Sequence, residues 1–78
     1  MIKELDSVVL KVDIDDLNLA KGDIGTVVLV HNEGEGYEVE FITLGGDTVA
    51  VTTLFPDQIR MVREMEIANA REIATVAA

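Results

Sequence analysis

Between Ser7 and Asp13 the chain reads SVVLKVD, with Val8, Leu10 and Val12 on one side of an extended backbone and Val9 and Lys11 on the other. Strand side chains point alternately to two faces, so this spacing predicts a half-buried first strand. DIDDLNLAKGD follows without periodicity and reads as an irregular loop of about ten residues. IGTVVLVHN predicts a second strand, whose unbroken apolar run at 27–30 suits a strand that bends and finds cover on both faces. After EGEG, a glycine hairpin at 33–36, YEVEFIT alternates cleanly: Tyr37, Val39 and Phe41 inward, Glu38 and Glu40 outward. LGGD turns the chain again, and TVAVTTL predicts a fourth strand with Val49 and Val51 inward. FPDQ stops that strand and suits one turn of 3₁₀ helix, leaving IRMV to pair as a short fifth strand.

From Arg63 the pattern changes. REMEIANAREIATVAA is rich in Ala, Glu, Ile and Met and holds no Gly or Pro, which predicts a helix of about four turns. On it Ile67, Ala70, Ile73, Ala74, Val76 and Ala77 share one face, opposite Arg71, Glu72 and Thr75. That face can cover an open end of the strands, pair with a second copy, or fit a groove on another protein. The expected fold is therefore mainly β: a five-stranded SH3-like small barrel over 1–62 with an appended C-terminal α-helix over 63–78.

A chain of 78 residues has room for one small core. Its aromatic residues are Tyr37, Phe41 and Phe55, so the core must be built from Val, Ile and Leu. The absence of Cys excludes disulfides and thiolate metal sites and fits a reducing compartment. MIKELDS contains no apolar core of a signal peptide, and no stretch reaches the roughly 18–20 apolar residues of a membrane helix. A cytoplasmic protein without a membrane role is expected. The formal charge of −9 repels phosphate backbones and speeds encounter with basic partners.

KGDIGTVV, with Gly22 and Gly25 three apart, leads into a strand and not into a helix, so no helix N-terminus is present to cradle a phosphate. The spacing resembles the turn and bent strand of SH3-like barrels, including KOW modules and nitrile hydratase beta subunits, and here the glycines are read as turning the chain. KOW modules surround the element with Lys and Arg that this chain lacks. Taken in order, MIKELDSVVL, KGDIGTVV, YEVEF, AVTTL and DQIR resemble a family of uncharacterised short bacterial proteins common in cyanobacteria. The resemblance spans residues 1 to about 62 and implies an accessory role, such as the antitoxin half of a toxin–antitoxin pair. It carries no catalytic residue over to this chain.

Candidate chemistry is sparse. Asp13, Asp15, Asp16 and Asn18 invite a calcium reading, but Leu17 and Asn18 occupy the fifth and sixth places of the loop and no Glu stands at the twelfth. His31, the only histidine, has no motif partner, and no nucleophile elbow surrounds Ser7 or the threonines. No enzyme activity, metal or cofactor is expected. What remains is a surface for contacts: Asp13, Asp15, Asp16, Glu33, Glu35, Glu38 and Glu40 as a negative face, with apolar grip from Ile67, Ala70, Ile73, Ala74 and Ala77. These predict a module that binds another protein, a basic one such as a nuclease-type toxin encoded by a neighbouring gene. The alternatives are an accessory subunit docked by apolar contacts on a larger enzyme or photosynthetic complex, and, more weakly, KOW-like RNA binding through Lys3, Lys11, Lys21, Arg60, Arg63 and Arg71. A homo-oligomer through the C-terminal helix is a further expectation, and the ending ATVAA resembles apolar tails read by bacterial proteases.

Overall fold

The computed structural model describes residues 1–73. Five antiparallel strands, β1 (Ser7–Leu10), β2 (Ile24–His31), β3 (Gly36–Ile42), β4 (Thr48–Leu54) and β5 (Ile59–Met61), form one sheet in the order β4-β3-β2-β1-β5. The protein is mainly β, and the sheet is not closed, because β4 and β5 are its two edges. Strand β5 reaches β1 across most of the chain, pairing Leu10 with Ile59 and Val9 with Arg60.

Every strand contributes to one core. Val8, Leu10, Val27, Tyr37, Val39, Phe41, Leu54 and Ile59 pack together, and Leu19 joins them from the β1–β2 connection. That connection is more ordered than its composition suggests. Ile14 and Leu19 exchange backbone hydrogen bonds of 2.8 and 3.1 Å around a 3₁₀ turn at Asp15–Leu17. Asn18, at φ 58°, closes the turn, and Ile14 and Leu17 pack against the core. The expected 3₁₀ turn in FPDQ is instead a hydrogen-bonded turn, with Gln58 N–H donating to Phe55 O at 2.8 Å.

Two bulges decide which side chains face inward. The β2–β3 register shifts between Val27 and Leu29, so Val27 and Val30 both turn to the core while Leu29 turns out. Such a bulge bends its strand. The β3–β4 register shifts at Phe41/Ile42, where Val49 is the extra residue. Ala50, Thr52 and Leu54 consequently lie opposite Phe41, Val39 and Tyr37 on the core face. Val51, expected inward, lies opposite Glu40 and is 54% exposed. Simple alternation from Thr48 fails because the extra residue reverses the phase of everything after it. Strand β1 also ends early, at Leu10, and Val12 is exposed.

Gly22 and Gly25 serve different purposes. Gly22, at φ 96°, makes the turn before β2. Gly25 lies inside β2, where a Cβ would stand 2.6 Å from Val39 Cγ1 and 2.8 Å from Phe41 Cε1. It admits the two core side chains of β3 and does not turn the chain.

The segment beyond β5 contradicts the expected helix: residues 62–73 hold no helix, only a single turn in which Glu66 N–H donates to Arg63 O at 3.3 Å. A lone helix of this length is marginal without a packed face, and here all of these side chains but half-buried Ile73 are exposed. The polar groups turn to tertiary partners. Arg60 Nη1 and Nη2 donate to the Glu66 carboxylate (2.9 and 2.5 Å), and Arg63 N–H donates to Glu66 Oε1 (2.6 Å). Arg71 grips both oxygens of Asp23 (2.8 and 2.5 Å) and the Asn18 carbonyl (2.8 Å). The segment is thus tied at Glu66 and Arg71. Of the predicted apolar face, Ile67 and Ala70 are exposed; Ala74, Val76 and Ala77 lie outside the described residues, as does the ATVAA ending from Ala74 onward. Among the described residues no helix is long and apolar enough to cross a membrane.

Candidate functional site

The predicted acidic surface divides into three parts. Asp15 and Asp16 lie within the 3₁₀ turn and Asp13 just ahead of it, in the connection that leads into β2; Glu33 and Glu35 occupy the β2–β3 hairpin at the opposite end of β2. The eight residues of β2 separate these groups. All five carboxylates are exposed. Asp13 Oδ1 accepts the Lys21 backbone N–H (2.8 Å), so it braces the loop's return. In the hairpin, Gly34 and Glu35 N–H both donate to His31 O (3.0 Å each), and Glu33 is held at φ 60°.

The third part is a single outward patch. Glu38 and Glu40 alternate with buried Tyr37, Val39 and Phe41 along β3, so strand geometry sends both to the outer face, where they are half-buried. Glu38 lies opposite Thr53, whose hydroxyl donates to its Oε2; His31 Nε2 lies 2.8 Å from the same oxygen. These bonds, Thr53 first and His31 second, hold the Glu38 carboxyl below the usual glutamate range. Glu40 accepts from the Thr48 hydroxyl at 3.1 Å. The sequence offered no partner for His31; the β2–β3 pairing supplies one. The arrangement stabilises a carboxylate and does not build a nucleophile–base relay, since hydroxyl and imidazole converge on one oxygen from an open face. These three residues line neither the hollow around Lys11, Lys21, Arg60 and Arg63 nor the one around Met1, Ile2, Val30 and Glu33.

Strand β4 borders this patch. Its seven residues, TVAVTTL, carry no charge and no proline, and among the described residues nothing pairs with its outer edge. Every second residue of an antiparallel edge strand turns its N–H and C=O away from the sheet. Val51 is exposed there beside Glu40.

A feature with no sequence signal lies at the other edge. Lys11, Lys21, Arg60 and Arg63 line a hollow of about 320 Å³ over Val9, Leu10 and Gly22. These residues are far apart along the chain and meet because β5 pairs with β1 and because Gly22 N–H donates to Leu10 O (2.9 Å). Four of the six basic residues of an acidic chain are thereby gathered at one place. Among the described residues no group of three or more His, Cys, Asp or Glu could hold a metal ion.

Comparison with curated proteins and with solved structures gives no match. A family model matches residues 4–61, from ahead of β1 to the last residue of β5. On that match the chain belongs to the family described as a domain of unknown function (DUF4926).

Proposed function

We propose that the protein is a binding module for a basic protein, which it engages along edge strand β4 beside the outward carboxylates of β3. The observation that carries this reading is the juxtaposition of an uncharged, unprotected edge with Glu38 and Glu40 one strand away. An extended segment of the partner adds a strand to β4, and main-chain hydrogen bonds supply the affinity. Its outward side chains then stand about 10 Å, two strand spacings, from the β3 backbone, within reach for Lys or Arg to meet Glu38 and Glu40. The charge of −9 steers the encounter. A nuclease-type toxin encoded nearby has the required basic groove, and its activity would be blocked by such an acidic plug. The finer architecture belongs to the same proposal. The two bulges and the single enclosed core support a sheet curled into an SH3-like small barrel, left open between β4 and β5.

The test takes the products of the neighbouring genes and asks whether a basic one among them binds. Stopped-flow association rates are expected to fall about tenfold between low and physiological salt, and Glu38→Lys with Glu40→Lys to weaken that dependence. Hydrogen exchange should show new protection of β4 amides in the complex. Failure to associate, or binding without protection in β4, would overturn the reading. Tight binding indifferent to salt would point instead to an accessory subunit held by apolar contacts.

A further inference from the structure

The hollow on the β1–β5 side is built from residues that the binding surface above does not use. Val9, buried although its pairing with Ile24 and Arg60 places it on the outer face, forms the floor together with the Leu10 backbone, whose side chain points into the core. Lys11, Lys21, Arg60 and Arg63 form the rim. The sheet sets three of these positions: Lys11 N–H donates to Gln58 O (2.8 Å), Gly22 N–H, next to Lys21, to Leu10 O (2.9 Å), and Arg60 lies within β5; Arg63 follows two residues beyond β5. Arg60 already accommodates a carboxylate, that of Glu66, through a two-point fork. Lys11, Lys21 and Arg63 have no ion pair among the described residues, although the chain has fifteen acidic side chains. Glu66 pairs with Arg60 and accepts the Arg63 N–H, so the repulsion that remains is that among Lys11, Lys21 and the Arg63 guanidinium. An anion seated among them removes that repulsion, and the apolar floor admits an uncharged body behind it.

We propose that this hollow binds a small molecule carrying an oxyanion, a phosphate or carboxylate, on an apolar group. Lys11, Lys21 and Arg63 neutralise the oxyanion, and Val9 with the aliphatic stems of the rim side chains receives the apolar part. The volume lies at the small end of ligand sites, which suits a metabolite of one ring or a short chain and not a polymer.

The test is an amide NMR titration of the protein alone, so its outcome is independent of any partner at β4. The probes are phenyl phosphate, inorganic phosphate and benzoate, each against sodium chloride at equal ionic strength. Saturable shifts are expected at Lys11, Lys21, Gly22 and Arg63, with phenyl phosphate about tenfold tighter than inorganic phosphate because the ring buries apolar surface on the floor. Whichever of phenyl phosphate and benzoate saturates first identifies the preferred oxyanion. Lys21→Glu with Arg63→Glu should abolish saturation, whereas Lys3→Glu, which is not part of the rim, should preserve it; melting curves verify that each variant folds. Shifts that merely follow sodium chloride, or saturation that survives the double reversal in a folded protein, would overturn the proposal.

Discussion

Replacing Gly25 by alanine places a methyl carbon 2.6 Å from Val39 Cγ1, 2.8 Å from Phe41 Cε1 and 3.0 Å from the Glu40 carbonyl oxygen. Carbon atoms in contact prefer about 3.5–4.0 Å, so two of these approaches are short by roughly 1 Å. None of the three neighbours can withdraw easily. Val39 and Phe41 are buried in the core, and β3 is bonded on both sides, by β2 and β4. The cost should therefore reach the upper part of the overpacking range, about 2–3 kcal/mol. For a domain of this size that lowers the melting temperature by roughly 10–20 °C. Urea unfolding followed by the emission of Tyr37, buried and the only tyrosine in a chain without tryptophan, measures it directly. The neighbouring change Gly22→Ala meets no atom within 4 Å and should cost only the about 1 kcal/mol of a left-handed backbone. Adding Val39→Ala to Gly25→Ala removes the nearest obstacle, so the double variant should be less destabilised than the sum of the singles by about 1 kcal/mol. A Gly25→Ala protein as stable as the parent, or strict additivity in that cycle, would refute the close-packing account.

Three further predictions concern the edges of the fold. Arg71→Ala removes the fork on Asp23 and the bond to Asn18; being largely exposed, it should cost under about 1 kcal/mol globally, while amide exchange around Asn18 and Asp23 accelerates, and unchanged exchange there would contradict the clasp. Arg60, with Arg63 N–H, lowers the Glu66 carboxyl from the ordinary 4.5 to about 2. Its contribution to stability is thus complete above pH 4.5 and lost as pH falls through about 2; carboxyl ¹³C titration should place the midpoint near 2, and Glu66→Gln should flatten the acid limb of stability in that window. Leu5 is 80% exposed yet held at φ 72° by its N–H bond to Val27 O (2.7 Å). Leu5→Asn, a residue that tolerates this conformation, should raise stability by about 0.5–1 kcal/mol in thermal melts, and a loss would argue against strain at this position.

The alternation of Tyr37, Glu38, Val39, Glu40 and Phe41 was legible without coordinates, because a strand covered on one face writes its two sides into successive residues. Val51 was misread for the complementary reason: one unpaired residue at Val49 reverses the phase, and composition does not mark a bulge. The tail was misread because Ala, Glu and Ile favour a helix locally, whereas Glu66 and Arg71 find their partners at Arg60 and Asp23. Of the seven acidic residues expected to form one face, strand geometry places Glu38 and Glu40 together and sends the others to opposite ends of β2.

Residue order alone thus sufficed for a small, aliphatic, acidic β protein with five strands and their turns, since these follow from local periodicity, backbone preference and summed charge. Which strand borders which, where the bulges fall, that Gly25 makes room for Val39 and Phe41, and that four cations meet over Val9 were decided only in three dimensions. The reason is that each depends on pairing between residues distant along the chain, above all β1 with β5, and no short stretch of sequence encodes which distant partner it will meet.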